Sequence, residues 1–323
     1  IARSRPCIGF ETVGKDPFGT PIIRISLNTQ EPTPAYRELV TASGIERIDS
    51  KDQDPIETST YGTGLQIKDA IQKGARTIYL GLGGSATNDA GMGIANALGY
   101  VFLNDKKEAL KPIGKNLIHV HTIDVSNVPD IINDVTFYAV NDVTNPLFGA
   151  NGAAFVYAKQ KGASASTIMK LDKGLEKINQ IVTNQLGLEN ALIPGSGAAG
   201  GAAYGLMSFF NAEFLHGIDF ILKISGITSI LASDRFDYIV TGEGKIDEQT
   251  LHGKLVQGVL DLGQRHDIPV IAICGVLDID LVRVQEIGIQ DVIEIQDSNK
   301  PLAYNMKHAH ELLPAAVEGF FAK

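Results

Sequence analysis

The last third of the chain alternates short apolar segments with longer amphipathic ones, and this alternation restricts the fold more than any other feature. The segments FDYIVTGEG, IPVIAICG and QDVIEI are typical of buried strands, and HGKLVQGVLDLGQRH and DIDLVRVQEIG between them are typical of helices. Parallel strands joined by helices form right-handed crossovers. Uniformly apolar strands indicate a sheet that is covered on both faces. From about Phe236 onward we therefore predict an α/β layer, closed by one long helix over LAYNMKHAHELLPAAVEGFF.

The part of the chain before Phe236 has a less regular pattern and is predicted to be an α+β region. Strands are expected in PIIRISL, ARTIYLGL and DVTFYAV, and helices in STYGTGLQIKDAIQKG and ASTIMKLDKGLEKINQIVTNQLG. A further helix is predicted over TPAYRELVTASGI, with Thr33 as its N-cap, Pro34 in its first position and Gly44 at its end.

Composition and charge exclude some classes of function. The formal net charge of −9 argues against a nucleic-acid partner, because such proteins need a basic face. The two cysteines fit neither a metal site nor a disulfide framework, which is typical of a reducing cytoplasm. Membrane helices need roughly 20 apolar residues, and no run of that kind is present, so we expect a cytoplasmic protein without a membrane partner.

Four glycine-rich segments share one pattern and are candidates for anion binding. They are Tyr61–Gly64, Gly81–Asp89, Pro194–Gly201 and Thr241–Lys254, and each is expected just before a helix. A helix N-terminus has free N–H groups and a partial positive charge. Glycine lets the backbone approach an anion closely, and hydroxyl groups such as that of Ser85 add donors. We interpret these segments as a phosphate cradle.

The residues leave more than one phosphate chemistry open. No segment matches the P-loop pattern. Gly81–Ala86 does match G-x-G-x-x-A, and Asp105 follows about 20 residues later, as in a dinucleotide-binding fold. A dinucleotide-dependent hydroxy-acid dehydrogenase is therefore one alternative. Against it, Asp89 would repel a pyrophosphate unless a metal lies between them, and a carboxylate beside a phosphate cradle favours Mg²⁺.

The segment Thr241–Lys254 combines the groups that phosphoryl transfer needs. This reaction uses cations on the phosphates and a carboxylate near the attacking hydroxyl. The segment follows a predicted strand, at the end of a parallel sheet where ligands bind. Its ionisable side chains are Glu243, Lys245, Asp247, His252 and Lys254. Asp142 and Asn145 in NDVTNP, and Lys161 in AKQKGA, are further candidates.

Several segments, in their order along the chain, resemble the class I glycerate kinases. The main ones are GLGGSATNDAGMGIANALGY, NDVTNPLFGANGAAFVYAKQKGA, PGSGAAGG and VTGEGKIDEQTLHGK, and the resemblance runs from about Gly14 to the C-terminus. It implies an ATP- and Mg²⁺-dependent kinase that phosphorylates D-glycerate to 2-phosphoglycerate or 3-phosphoglycerate. It also implies an α/β fold of two domains with the active site in the cleft between them. Residues 16–225 would form a mixed α/β domain with the GGSATND and DVTNP motifs, and residues 226–323 a Rossmann-like parallel-sheet domain.

The resemblance and the residue chemistry together assign roles to the candidate residues. The catalytic groups would be Asp247, Lys245 and Asp89, with Asp247 favoured as the base because it lies beside Lys245. Mg²⁺ would be bound by Asp142 and Asp89. Phosphate and substrate would contact the glycines and polar side chains of the motifs, namely Gly83, Gly84, Ser85, Thr87, Asn88, Lys161, Gly242, Glu243, Gly244 and Lys254.

The sequence also departs from the family pattern. Lys245 stands where arginine is usual, which keeps the charge but loses the bidentate guanidinium, and Ala90 stands where glycine is common. The family's N-terminal segment, with its Asp-Ser-Phe/Tyr-Lys motif, is expected to be absent from this sequence. A non-catalytic small-anion binding protein is therefore a second alternative. The expected partner is a small-molecule substrate, and the sequence leaves open whether the chain forms a homo-oligomer.

Overall fold

The computed structural model describes residues 7–29, 34–248, 250 and 254–322. Contacts between Cα atoms group them into two units, one that extends to Gly217 and one that begins at Ile218. The sequence-based proposal placed the boundary after residue 225, at the end of the helix Gly217–Ser225 rather than at its start. None of the helices in the described ranges is both long and apolar enough to cross a membrane.

The first unit combines strands of mixed direction with helices that pack against them. Its strands are β1 (Cys7–Lys15), β2 (Pro21–Thr29), β3 (Pro34–Glu38), β4 (Thr77–Gly81), β5 (Val101–Leu103), β6 (Thr122–Asp124), β7 (Thr136–Val140) and β8 (Glu213–Leu215). Its helices are α1 (Val40–Ser43), α2 (Tyr61–Gln72), α3 (Met92–Ala97), α4 (Ala153–Tyr157), α5 (Ala165–Leu186) and α6 (Ala198–Phe210). The predicted strands and helices at β2, β4, β7, α2 and α5 are confirmed.

The main sheet of this unit has six strands in the order β1-β2-β3-β4-β7-β8. Strands β1 to β3 pair antiparallel, whereas β3, β4, β7 and β8 pair parallel. Alternate residues Ile78, Leu80, Phe137 and Ala139 are buried in one core with apolar residues of the helices. Because parallel strands end at the same edge, the loops after β4, β7 and β8 are brought together there, where α/β sheets bind ligands.

The predicted helix over TPAYRELVTASGI is wrong in its first half. Pro34–Glu38 form strand β3, and only Val40–Ser43 are helical, while the predicted cap Thr33 lies outside the described residues. Ala35 and Arg37 are buried, whereas Tyr36 between them is half-buried, which is the two-residue alternation of a strand. Pro34 begins the strand, a position where a missing N–H is tolerated.

Pairing with distant strands explains why the helix prediction failed. Tyr36 of β3 stacks on Tyr79 of β4 with ring centroids 5.2 Å apart, and Tyr79 stacks on Tyr138 of β7 at 4.8 Å. The three residues are direct partners in the parallel register. Such cross-strand aromatic pairs stabilise a strand. Local sequence contains no sign of them, because the partners lie far along the chain.

Helix α6 packs closely against the loop that precedes α3. Ala199–Gly201, inside α6, have left-handed backbone angles, with φ of 54°, 65° and 84°. A Cβ atom on Gly200 would clash with the Thr87 carbonyl oxygen, and one on Gly205 with that of Ala90. The carbonyl of Gly200 accepts a hydrogen bond from Ala90 N at 3.1 Å. Gly200 of PGSGAAGG therefore has a packing role, because only glycine permits this contact.

The second unit confirms the alternation read from the sequence. Its elements are α7 (Gly217–Ser225), α8 (Ile227–Ser233), β9 (Ile239–Ile246), α9 (Lys254–His266), β10 (Val270–Leu277), α10 (Leu281–Glu286), β11 (Ile289–Glu294), α11 (Leu302–Lys307) and α12 (Ala309–Phe321). The three strands form a parallel sheet in the order β11-β10-β9. Two details differ from the prediction. The expected long C-terminal helix is divided at His308, and β9 continues to Ile246, so that Gly242–Lys245 lie in the strand and not in a turn.

Candidate active site

A pocket of about 580 Å³ lies in the first unit, where β4 and β7 end. It is bounded by the loop after β4, the turn after β7, the segment after α4 and the start of α6. The lining includes Gly83, Gly84, Ser85, Asn141, Asp142, Tyr157, Lys161, Ala198 and Ala199. The structure thus brings together five of the predicted site residues, Gly83, Gly84, Ser85, Asp142 and Lys161.

Lys161 is a buried lysine that lines this pocket. Its residue surface is only 3% exposed, and its Nζ donates to Ser85 Oγ and to the Thr87 carbonyl oxygen, both at 2.7 Å. Burial lowers the pKa of the Lys161 ammonium to about 7, and the negative charge of Asp89 opposes this shift. An ammonium group buried in this way is costly unless it is hydrogen-bonded or paired with an anion, which is what a ligand carboxylate or phosphate would supply.

Asp89 holds the loop before α3 in place. Its Oδ2 accepts hydrogen bonds from Thr60 N and Thr60 Oγ1, both at 2.8 Å, and from Gly93 N at 3.1 Å. Its Oδ1 accepts from Gly91 N at 3.2 Å. The residue is fully buried and does not line the pocket. Burial raises the pKa of this carboxyl, and the hydrogen bonds from Thr60, Gly93 and Gly91 oppose that rise.

Thr87 and Asn88 are also fully buried and do not line the pocket. Within the described residues, Thr87 Oγ1 and both polar side-chain atoms of Asn88 lack a hydrogen-bond partner. Buried polar atoms are nearly always paired, with protein or with water. The predicted ligand contacts of these two side chains stay predictions, and the Thr87 backbone carbonyl accepts the hydrogen bond from Lys161.

Asp142 lies at the ends of two neighbouring parallel strands. It follows β7, and its Oδ1 accepts a hydrogen bond at 2.9 Å from Gly217 N, just after β8. His216 Nδ1 is 3.9 Å from the same oxygen. The side chain is 46% exposed and lines the pocket, so a carboxylate oxygen is accessible to a ligand. No group of three or more His, Cys, Asp or Glu side chains in the described ranges is arranged to hold a metal.

Tyr157 is a pocket residue that sequence reasoning missed. Its hydroxyl donates to Asn145 Oδ1 at 2.5 Å, and burial raises the pKa of the phenol. Asn145 in turn donates to the Asn151 carbonyl oxygen at 2.9 Å. Tyr157 precedes Lys161 by about one helical turn, which was the available signal. Asn145 therefore positions the tyrosine and is not itself among the pocket residues.

The second unit contains the other predicted catalytic residues, Lys245 and Asp247. Lys245 Nζ lies 2.6 Å from Asp278 Oδ2 and 3.4 Å from Asp247 Oδ2. The hydrogen bond with Asp278 is the main reason why the pKa of Lys245 is raised. Thr250 Oγ1 donates to Glu243 Oε2 at 3.2 Å, and Thr250 N donates to the backbone carbonyl oxygen of Asp247 at 3.0 Å. These contacts gather Glu243, Lys245 and Asp247 around the end of β9.

Some predicted residues of this segment cannot be placed fully. Lys254 begins helix α9, and its side chain lies outside the described part of the structure. His252 lies outside the described residues altogether. Gly242 and Gly244 are strand residues of β9, and a Cβ on Gly244 would meet no atom within 4 Å. The backbone at Gly244 is therefore open to a close approach from outside the strand.

The arrangement that a dinucleotide site needs is not present in the described residues. In such a fold the acidic residue follows a strand that is parallel to the first one and lies in the same sheet. Asp105 instead follows β5, which pairs antiparallel with β6 in a separate sheet. It lines a different pocket, together with His119, His121 and Lys177. The helix after the Gly81–Ala86 loop, α3, has only six residues.

Comparison with known proteins shows to which family the chain belongs. The sequence profile of the glycerate kinase family matches residues 8–322. The chain belongs to the glycerate kinase family. Glycerate kinase of Halalkalibacterium halodurans is 39% identical over 283 residues, which are 88% of this chain and 74% of that protein. Glycerate 2-kinase of Escherichia coli K12 is 36% identical over 264 residues, which are 82% and 69% of the two chains.

A solved structure supports the same assignment to the glycerate kinase family at the level of the fold. The crystal structure of a protein assigned as glycerate kinase 2, from Salmonella typhimurium LT2, superposes with a TM-score of 0.78 at 30% identity. The match covers 91% of this chain and 76% of that one. Ala90, which the family resemblance marks as a departure from glycine, has a backbone φ of 52°, a conformation that favours glycine.

The hydrogen bonds of Asp89 predict a large loss of stability for Asp89→Asn. An amide cannot accept all four bonds, so at least one buried donor would lose its partner, and we expect the free energy of unfolding to fall by about 2 kcal/mol or more. Asp69→Asn is the control, because Asp69 pairs with Lys73 and acts on the buried Arg37 through its charge but accepts no set of buried backbone donors in the described part of the chain, so it should cost less than Asp89→Asn. Chemical denaturation of both variants measures this. Unchanged stability of Asp89→Asn, with lost activity, would favour the catalytic or metal role instead.

Proposed function

We propose that this protein transfers the γ-phosphoryl group of ATP to a hydroxyl of D-glycerate, assisted by Mg²⁺, and forms 2-phosphoglycerate or 3-phosphoglycerate. The observation that carries this proposal is the pocket at the ends of β4 and β7, with its buried ammonium, in a chain of the glycerate kinase family. D-glycerate and ATP are both anions. A net acidic protein can bind them where a cation and hydrogen-bond donors face the ligand, and Lys161 and Ser85 supply these groups in the pocket.

The loop after β4 is suited to an anionic ligand. A Cβ on Gly83 would meet no atom within 4 Å, so the backbone there is open. Gly84 has a φ of 67° and its carbonyl accepts from Ile45 N at 2.9 Å, which fixes the turn. Ser85 follows with its hydroxyl bonded to Lys161. Backbone N–H groups and a hydroxyl are donors that bind carboxylates and phosphates, and the nearby ammonium adds positive charge.

The residues of the pocket fit Mg²⁺ when a substrate phosphate completes its coordination. Mg²⁺ is usually held by one or two carboxylates, waters and phosphate oxygens. Asp142 provides one accessible carboxylate and is fixed by the Gly217 N–H. Asp89, the other predicted ligand, uses both oxygens within the loop, so we assign the metal to Asp142 and the loop geometry to Asp89. When bound, Mg²⁺ would neutralise negative charge on the transferring phosphoryl group.

The acid–base part of the reaction is assigned to the second unit. The hydroxyl of D-glycerate loses its proton to the Asp247 carboxylate, and its oxygen forms a bond to the γ-phosphorus. The bond between that phosphorus and the β–γ bridging oxygen breaks, and ADP leaves with the electron pair. Lys245, which bridges Asp247 and Asp278, orients the base. This cluster of acids disfavours the small-anion binding alternative, because a protein that only binds anions gains nothing from carboxylates near its ligand.

The activity itself is tested by ADP release from purified protein with ATP, Mg²⁺ and D-glycerate, with and without EDTA. We expect turnover that depends on both D-glycerate and the metal. Phosphorus NMR of the product distinguishes 2-phosphoglycerate from 3-phosphoglycerate. Absence of turnover, together with tight D-glycerate binding in calorimetry, would support the binding-protein alternative. Turnover that EDTA leaves unchanged would remove the metal from the mechanism.

The base assignment predicts that Asp247→Asn lowers kcat by about 10²–10⁴-fold, the usual loss when a general base is removed. Asp278→Asn is the matched control, since Asp278 also pairs with Lys245 and has no assigned proton transfer. We expect the control to keep kcat within about tenfold of the wild-type value. Steady-state kinetics at saturating D-glycerate and ATP measure both variants. Equal losses would mean that the two carboxylates act only through Lys245.

A further inference from the structure

The contact between Lys161 and Ser85 determines where the serine hydroxyl can direct its hydrogen. Lys161 Nζ lies 2.7 Å from both Ser85 Oγ and the Thr87 carbonyl oxygen. A protonated amine can only donate hydrogen bonds, so Ser85 Oγ must accept from it. Ser85 then keeps its own O–H hydrogen for another acceptor. Within the described residues, its hydroxyl has no second hydrogen-bond partner, and Ser85 lines the pocket.

We propose that Lys161 is a positioning residue that directs the Ser85 hydroxyl into the pocket, where the serine donates a hydrogen bond to an anionic oxygen of the ligand. The inference rests on the proposed function, because it takes a carboxylate or phosphate of the reactants as the acceptor. It assigns different roles to two side chains that sequence reasoning grouped together. Ser85 contacts the ligand, and Lys161 acts through Ser85 by fixing the direction of its hydrogen.

The titratable groups near Lys161 are Asp89, Asp142 and Tyr157. On the side of the loop before α3, the charged group that faces it is the buried Asp89. The other titratable groups of the pocket are Asp142 and Tyr157. Lys159, two residues away on the same turn, is exposed and is not among the pocket residues. The chain thus offers a matched control, because Lys159→Met removes the same charge from the same turn without affecting Ser85.

Loss of the Lys161 proton removes the constraint on the direction of the hydrogen bond. A neutral amine has a lone pair as well as two N–H groups, so the Ser85 hydroxyl could then donate to Nζ instead of to the ligand. Since burial lowers the pKa of Lys161 to about 7, affinity for the anion should fall as the pH rises through this value. A bound anion stabilises the ammonium, so the decline in the complex should begin at a higher pH than in the free protein.

A double-mutant cycle of Ser85→Ala and Lys161→Met separates action through the serine from independent action. The measurements are kcat and KM for D-glycerate and for ATP, with Lys159→Met as the control. We expect Ser85→Ala to raise KM for one reactant about tenfold in the wild-type background. In the Lys161→Met background the same change should raise it less than about threefold. A larger effect on D-glycerate assigns the acceptor to the carboxylate, and a larger effect on ATP assigns it to a phosphate.

Equal effects of Ser85→Ala in both backgrounds would overturn the inference, as would a Ser85→Ala variant with unchanged KM for both reactants. Thermal unfolding reports whether Lys161→Met folds. If Lys161→Met does not fold, the pH dependence of anion affinity tests the inference. The decline in wild-type affinity above about pH 7 should be reduced in Ser85→Ala. Absence of turnover by the wild-type protein would contradict the proposed function instead. Calorimetric titration of the same variants with ATP and with inorganic phosphate would then test the positioning alone.

Discussion

The buried ammonium of Lys161 is the interaction on which the candidate site depends. It joins the segment after α4 to the loop after β4 through Ser85 and Thr87, at 2.7 Å each. The cost of burying this charge is offset by these hydrogen bonds and by the nearby carboxylate of Asp89. The pocket is therefore prepared for a further anion before any ligand arrives. This preorganisation lets a protein of net negative charge bind anionic reactants at one place.

The loop that contains Ser85 is fixed by the hydrogen bonds of Asp89 and by close backbone packing against α6. Asp89 accepts hydrogen bonds from Thr60, Gly91 and Gly93, and these bonds fix the start of α3. On the other side, the left-handed turn within α6 brings Gly200 against the loop without a side chain between them. Two of the glycine-rich segments are thus parts of one structure. The segment Gly81–Asp89 provides the donors that face the pocket. The segment Pro194–Gly201 has a glycine where a side chain would clash with that loop.

The sequence predicted the second unit well, because its strands and helices follow one another with clear local patterns. Residue chemistry and the family resemblance also grouped Gly83, Ser85, Asp142 and Lys161 in one site, and these four residues line one pocket where parallel strands end. The prediction from sequence failed where contacts between residues far apart in the chain determine the local structure. Strand β3 depends on cross-strand stacking of Tyr36, which local propensity cannot reveal. The hydrogen bonds of Asp89 and the packing of α6 likewise depend on contacts between segments far apart in the chain.

The most direct test of this account is a crystal structure of the protein with D-glycerate, Mg²⁺ and a non-hydrolysable ATP analogue. The account predicts an anionic oxygen of a reactant within about 2.5–3.2 Å of Ser85 Oγ, the range of a hydrogen bond. Lys161 Nζ should still contact Ser85 and Thr87 in that complex. The account would be contradicted if both reactants bound away from the loop after β4. It would also be contradicted if Lys161 left Ser85 to contact the ligand directly.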